Sequence, residues 1–224
     1  MSTALSGCGK GDDKGASFSP SDATHSPASS QPDNGKGGRD VLPGLPSADQ
    51  AQQQLAQLKV AKWRPMSGYS RAKFPHWAQQ GNHCDTREVV LQRDGAGVQR
   101  DAECRAVSGT WHSLYDDKTL TTASQADIDH VVPLANAWRS GADSWTTDHR
   151  KQLANDLTHP QLLTVSAASN RSKGDQSPDQ WKPPSKDAWC VYSRAWTSVK
   201  SGYGLTVTDD EKAALSSMLG TCRS

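Results

Sequence analysis

Asp129 and His130 stand side by side in the stretch "DIDHVVPLANAW", and two amides follow them, Asn155 in "LANDLTHPQLLTV" and Asn170 in "SAASNRSKGD". Residues of these types can hydrolyse a phosphodiester. That reaction needs a base to deprotonate water, a cation to neutralise charge on the phosphorus and leaving oxygens, and donors that hold the phosphate. A neutral imidazole supplies the base near pH 7. A carboxylate and an amide oxygen are hard ligands that suit Mg²⁺, which keeps several waters and borrows substrate oxygens. Arg171 and Lys173, beside Asn170, can supply the donors. An Asp-His pair alone is usually two polar residues at a strand end, so the weight rests on the ordered set.

Several short elements must bring these groups together. "ADIDHVV" is a strand candidate, and "PLANAWRSGA" reads as a helix with Pro133 in its first turn. A second helix is expected from Thr147 to about Ala154, then a short strand through Leu162, Leu163 and Val165. Ser166 is placed to cap a two-turn helix that Gly174 stops. Around this unit, Ala51, Leu55, Leu58 and Lys62 fall at helical spacing, and "CDTREVVLQRDG" reads as a short helix stopped by Gly95 and Gly97. "ECRAVSGTWHSLYDD" suggests a hairpin turning at Ser108-Gly109. Two C-terminal helices carry Trp189, Tyr192, Trp196 and Val199 on one face, and Leu215, Met218, Leu219 and Cys222 on another; Thr208 to Glu211 forms a capping box for the second. The class is α+β.

Composition bounds the rest. Twenty-five basic against 24 acidic residues leave a net charge of +1, so any nucleic-acid contact is a local patch. Residues 1–47 are rich in Gly, Ser, Pro and Asp and read as a tether; residues 48–224 hold all eight tryptophans and form the folded domain. "LSGC" before Cys8 has the small-residue pattern that precedes a lipid-modified cysteine, which makes Cys8 a candidate membrane anchor. Cys84, Cys104, Cys190 and Cys222 include no Cys-x-x-Cys pair, and among their alternative pairings Cys84–Cys104 and Cys190–Cys222 each bracket a local unit. Two disulfides imply an oxidising compartment, outside the cell or in its envelope.

Three stretches, "DIDHVVPLANAWRSGADSW", "LANDLTHPQLLTVSAASNRSKGDQSPDQW" and the framing "CDTRE", resemble the secreted HNH endonucleases of the GmrSD C-terminal-domain family, members of the ββα-metal group. The resemblance runs from about Cys84 to Cys222. It implies a ββα-metal (HNH) nuclease core with added helices and two disulfides, acting as a monomer on DNA, with RNA as a second candidate substrate, and without sequence preference. His130 would be the general base, Asp129 and Asn170 the ligands of one divalent ion, Mg²⁺ or Mn²⁺, and Asn155 the residue bracing the loop that orients His130. Many HNH motifs carry an Asn directly before the strand leucine, where this chain has Gln161, so Asn155 or Gln161 could take the bracing part. Arg87, in "CDTRE", joins Arg171 and Lys173 as a phosphate-contact candidate. His25, His76, His83, His112 and His149 read as surface or hydrogen-bonded histidines, and Trp138 and Trp145 as core. The alternative function is an inactive binding module of the cell envelope built on a nuclease scaffold.

Overall fold

A computed structural model describes residues 42–223; the candidate anchor Cys8 and most of the expected tether lie outside them. Leu42 is buried, Leu45 packs against the main core, and Arg194 Nε donates to the Pro46 carbonyl at 2.7 Å. The folded part therefore begins before residue 48, since Leu42 and Leu45 join the main apolar core and Arg194 holds the Pro46 carbonyl.

Helix α1 spans Ala48–Gln57 and opens with a capping box in which Ser47 and Gln50 each bond the other's backbone N–H. A small hairpin, β1 (Gln79–Gly81) and β2 (Cys84–Asp85), leads into α2 (Thr86–Asp94), capped by Asp85. Strands β3 (Gly95–Arg100), β4 (Ala106–Ser113) and β5 (Lys118–Leu120) form one antiparallel sheet. Strand β6 (Ala126–His130), helices α3 (Leu134–Arg139) and α4 (Thr147–Ala154), strand β7 (Leu162–Ser166) and helix α5 (Ala167–Lys173) follow. Helices α6 (Trp189–Gly202) and α7 (Asp209–Leu219) close the chain. Among the described residues no helix is long and apolar enough to cross a membrane. Both expected disulfides form, Cys84–Cys104 and Cys190–Cys222.

The antiparallel pair β6–β7 separates two hydrophobic clusters. Because strand side chains alternate between faces, Ala126, Ile128 and Leu162 join Val90, Leu91 and Trp111 on one side. Leu163 and Val165 join Tyr115, Tyr192, Trp196 and Leu215 on the other. Asp127 and Asp129, directly opposite Val165 and Leu163, share that second side.

The expected hairpin at Ser108-Gly109 does not form. Strand β4 runs straight through both residues, pairing Ser108 with Gln99 and Trp111 with both Gly95 and Leu120. Gly95 ends α2 as expected, its N–H reaching the Leu91 carbonyl, and with Gly97 it also opens β3. Gly109 serves close approach and not a turn: a Cβ there would lie 2.8 Å from Trp111 Cη2. The indole, anchored by Nε1 donating to the Leu91 carbonyl at 2.8 Å, fills that space. Gly109→Ala should lower unfolding free energy by about 1–3 kcal/mol through this overlap, measured by urea denaturation. An unchanged midpoint would mean the indole does not cover the strand.

Candidate active site

Helix α5 lies across the acidic side of β6. Ser166 caps it by accepting from the Ser169 N–H, and Gly174, at φ 55°, ends it. Asn170 and Lys173, three apart on one helix face, meet Asp127 and Asp129, two apart on one strand face. Asn170 Nδ2 donates to Asp127 Oδ2 at 3.1 Å, and Lys173 Nζ donates to Asp129 Oδ1 at 2.9 Å and approaches Oδ2 at 2.8 Å. Tyr115 donates its hydroxyl to Asp129 Oδ2 at 2.6 Å. Burial pushes the Asp129 carboxyl up, against the pull of the Lys173 charge, and pushes the Lys173 ammonium down, against the pull of Asp129.

His130 is buried at the strand end, with Nε2 3.0 Å from the Ala154 carbonyl oxygen. A carbonyl only accepts, so Nε2 carries the hydrogen and Nδ1 keeps a lone pair. Among the described residues no hydrogen bond reaches Nδ1. Burial lowers the ring's pKa to about 3, with Arg71, His76 and Lys173 adding to the effect, so His130 is neutral at pH 7. Trp77, at φ 56°, stacks on the ring at 5.5 Å, and His76 meets it edge-on at 6.5 Å.

The two bracing candidates, Asn155 and Gln161, bond different loops. Asn155 caps α4 beside Ala154 and fixes the loop that carries His76 and Trp77: Oδ1 accepts from the Ala78 N–H and Thr86 Oγ1 at 2.8 Å each, and Nδ2 donates to the Pro75 carbonyl at 2.7 Å. Gln161 is wholly buried and clamps the turn after His130. It accepts from the Val132 N–H at 3.0 Å and donates to the Val132 carbonyl at 2.9 Å.

Asp129, His130 and Asn170 line one cleft of about 210 Å³, together with Tyr69, Arg71 and Asp175. The phosphate-contact candidates Lys173, Arg87 and Arg171 do not line it. Lys173 has no exposed surface and is held by Asp129 and by the His130 carbonyl at 2.9 Å. Arg87 is tied to Glu88 at 2.6 Å and to the Ala123 and Ala126 carbonyls. Arg171 is exposed and does not line the cleft. Sequence reasoning missed Arg71 and Tyr69, for which there was no local signal, and gave His76, read as surface or hydrogen-bonded, no part in the site. Asp127 it could have found, since Asp127 and Asp129 share a strand face.

The match to a family model covers residues 87–218 and is to the GmrSD restriction endonucleases, C-terminal domain. The chain belongs to that family. It is also similar to an uncharacterized secreted protein of Arthroderma benhamiae (strain ATCC MYA-4681 / CBS 112371), 57% identical over 180 residues, which is 80% of this chain and 88% of that protein. No solved structure matches. In this GmrSD C-terminal-domain protein the donors for a hard divalent ion are few. Among the described residues no group of three or more His, Cys, Asp or Glu converges on one point. Asp129 Oδ1 accepts one bond and keeps a lone pair, and among the described residues no donor reaches the Asn170 amide oxygen. A carboxylate and an amide on one cleft fit an ion that keeps most of its waters.

Burial of His130 has a thermodynamic consequence for this family member. The folded ring binds a proton only near pH 3, whereas the unfolded ring does so near 6.5. The stability this contributes is therefore full above pH 6.5 and is lost toward pH 3, by about 1.4 kcal/mol per unit. His130→Gln keeps a donor for Ala154 but does not titrate. Wild type should lose about 2 kcal/mol more than this variant between pH 7 and pH 5, read from urea titrations of metal-free protein. Parallel losses would mean that the imidazole is open to solvent.

Proposed function

We propose that this protein is an extracellular or cell-envelope endonuclease with a ββα-metal (HNH) core, hydrolysing DNA, and RNA as a second candidate, without sequence preference and as a monomer. The observation that carries the reading is the neutral His130, tied through Nε2 to the Ala154 carbonyl, in one cleft with Asp129 and Asn170. Strands β6 and β7 followed by α5 have the order such a core requires. Two disulfides and a relative described as secreted support export, with Cys8 as the candidate lipid attachment point.

In this reading Nδ1 of His130 takes a proton from water as the water oxygen attacks phosphorus. The P–O ester bond then breaks, and the leaving oxygen is protonated from solvent. Asp129 and Asn170 would hold a divalent ion, Mg²⁺ or Mn²⁺, which when bound supplies charge neutralisation on the phosphate and leaving oxygens. A base with a pKa near 3 is weak, but a phosphate arriving beside the ring favours its protonated form and raises its basicity. Asn155 and Gln161 hold the two loops that frame the ring.

One observation favours a second reading, an inactive binding module on the same scaffold: Lys173 already sets a cation on Asp129. Plasmid nicking with and without EDTA separates the two. The nuclease reading expects nicking that EDTA abolishes and that His130→Gln, which keeps the donor to the Ala154 carbonyl, lowers by about 10² to 10⁴. Nicking at the wild-type rate in that variant removes the base assignment. An inert wild-type protein in Mg²⁺ and Mn²⁺ leaves the binding module.

A further inference from the structure

One wall of the cleft comes from residues that precede the span matched by the family. Arg71 opens a 3-10 turn, Arg71–Lys73, and lines the cleft with Asp129, His130 and Asn170. The segment that carries it is bolted down on both sides. The Lys73 carbonyl accepts from Arg150 Nε at 2.9 Å, Phe74 is wholly buried, and Asn155 holds Pro75 and Ala78. Tyr69, just before it, packs edge-on against Trp138 at 5.9 Å.

The direction of the Arg71 side chain is also set. Its Nε donates to His76 Nε2 at 3.4 Å, while His76 Nδ1 lies 3.0 Å from the Phe74 carbonyl. That carbonyl requires the hydrogen on Nδ1, which leaves Nε2 the lone pair that Arg71 meets. Among the described residues nothing accepts from the two terminal amino groups of Arg71, and no carboxylate pairs with it. Neighbouring cations are committed: Lys173 to Asp129, Arg139 to Asp175 at 3.3 Å, Arg87 to Glu88.

We propose that Arg71 is the phosphate-binding residue of this cleft, its two terminal amino groups gripping the non-bridging oxygens of the phosphodiester to be cut. The assignment rests on the nuclease reading for the identity of the substrate. A guanidinium fork presents parallel N–H donors that match two phosphate oxygens, which a lysine ammonium cannot do. His76 is then a positioning residue, acting through Arg71.

The test uses the full chain in two assays. In EDTA, where no cleavage is expected, binding of a short fluorescein-labelled DNA duplex is followed by anisotropy across a salt series. Arg71→Ala and Arg71→Gln should weaken binding about ten-fold and lower the slope of log K against log salt by about one. Arg71→Lys should restore the slope, since it keeps the charge, yet nick plasmid at least about ten-fold more slowly than wild type, since it loses the fork. Melting temperatures of all three variants should match wild type, because the side chain is exposed. A purely structural role would move melting and leave the slope alone. If wild type nicks and the slopes of Arg71→Ala and wild type coincide, the assignment falls while the nuclease reading stands. If wild type binds without nicking and the slope still drops by one, the phosphate contact stands and the nuclease reading falls. A wild-type protein that neither binds nor nicks DNA overturns both.

Discussion

The buried pair Lys173–Asp129 is the contact on which the candidate site depends. Moving two ions out of water costs several kcal/mol each, and only good geometry with further hydrogen bonds offsets it. Here Asp129 takes donors from Lys173 and Tyr115, and Lys173 also donates to the His130 carbonyl. One ammonium therefore joins helix α5 to the end of β6 and fixes how far the helix slides along the strand. With Lys173 on Asp129, Asn170 one turn earlier meets Asp127. Replacing either member of the ion pair alone would leave a buried charge without its partner, the expensive half of such an interaction.

Neutrality of His130 follows from the same packing. The ring is enclosed by Trp77, His76 and the Ala154 carbonyl, and neither cation near it, Lys173 or Arg71, favours its protonation. Burial that keeps an imidazole neutral also weakens it as a base, and efficient proton transfer wants a pKa nearer the working pH. In the proposed nuclease reading a substrate anion supplies the missing negative charge. As folded, the site brings His130 and Arg71 to one cleft.

Rigidity around the cleft comes from side chains that satisfy backbone groups far away in sequence. Asn155, Arg150 and Gln161 bond the Pro75–Ala78 loop, the Lys73 carbonyl and the Val132 peptide groups. Buried backbone donors and acceptors must be paired, and loops have no ladder to pair them. Amides suit this task because each offers a donor and an acceptor, and Gln161 uses both on one residue. The segment before the family-matched span owes its place at the cleft to these bonds.

The sequence by itself determined what is local. Caps at Ser166 and Thr208, the stop at Gly174 and the strand through Leu162–Val165 follow from residue types at short range, where propensity and chain geometry decide, whereas the fold selected the cysteine pairs from three possible pairings. The elements that carry Asp129, His130 and Asn170, a strand end and a short capped helix, were legible for the same reason. Only the tertiary structure decided which charges face the cleft. Lys173 looked like a free cation until α5 packed its ammonium onto Asp129, and Gly109 looked like a turn until Trp111 required its missing side chain. Arg71 and His76 carried no local signal, because their role arises when a loop more than 50 residues upstream of His130 in the numbering is pinned beside it by Asn155 and Arg150. Partners so distant in the chain are chosen by packing and desolvation, which depend on the whole fold and leave no pattern in neighbouring residues.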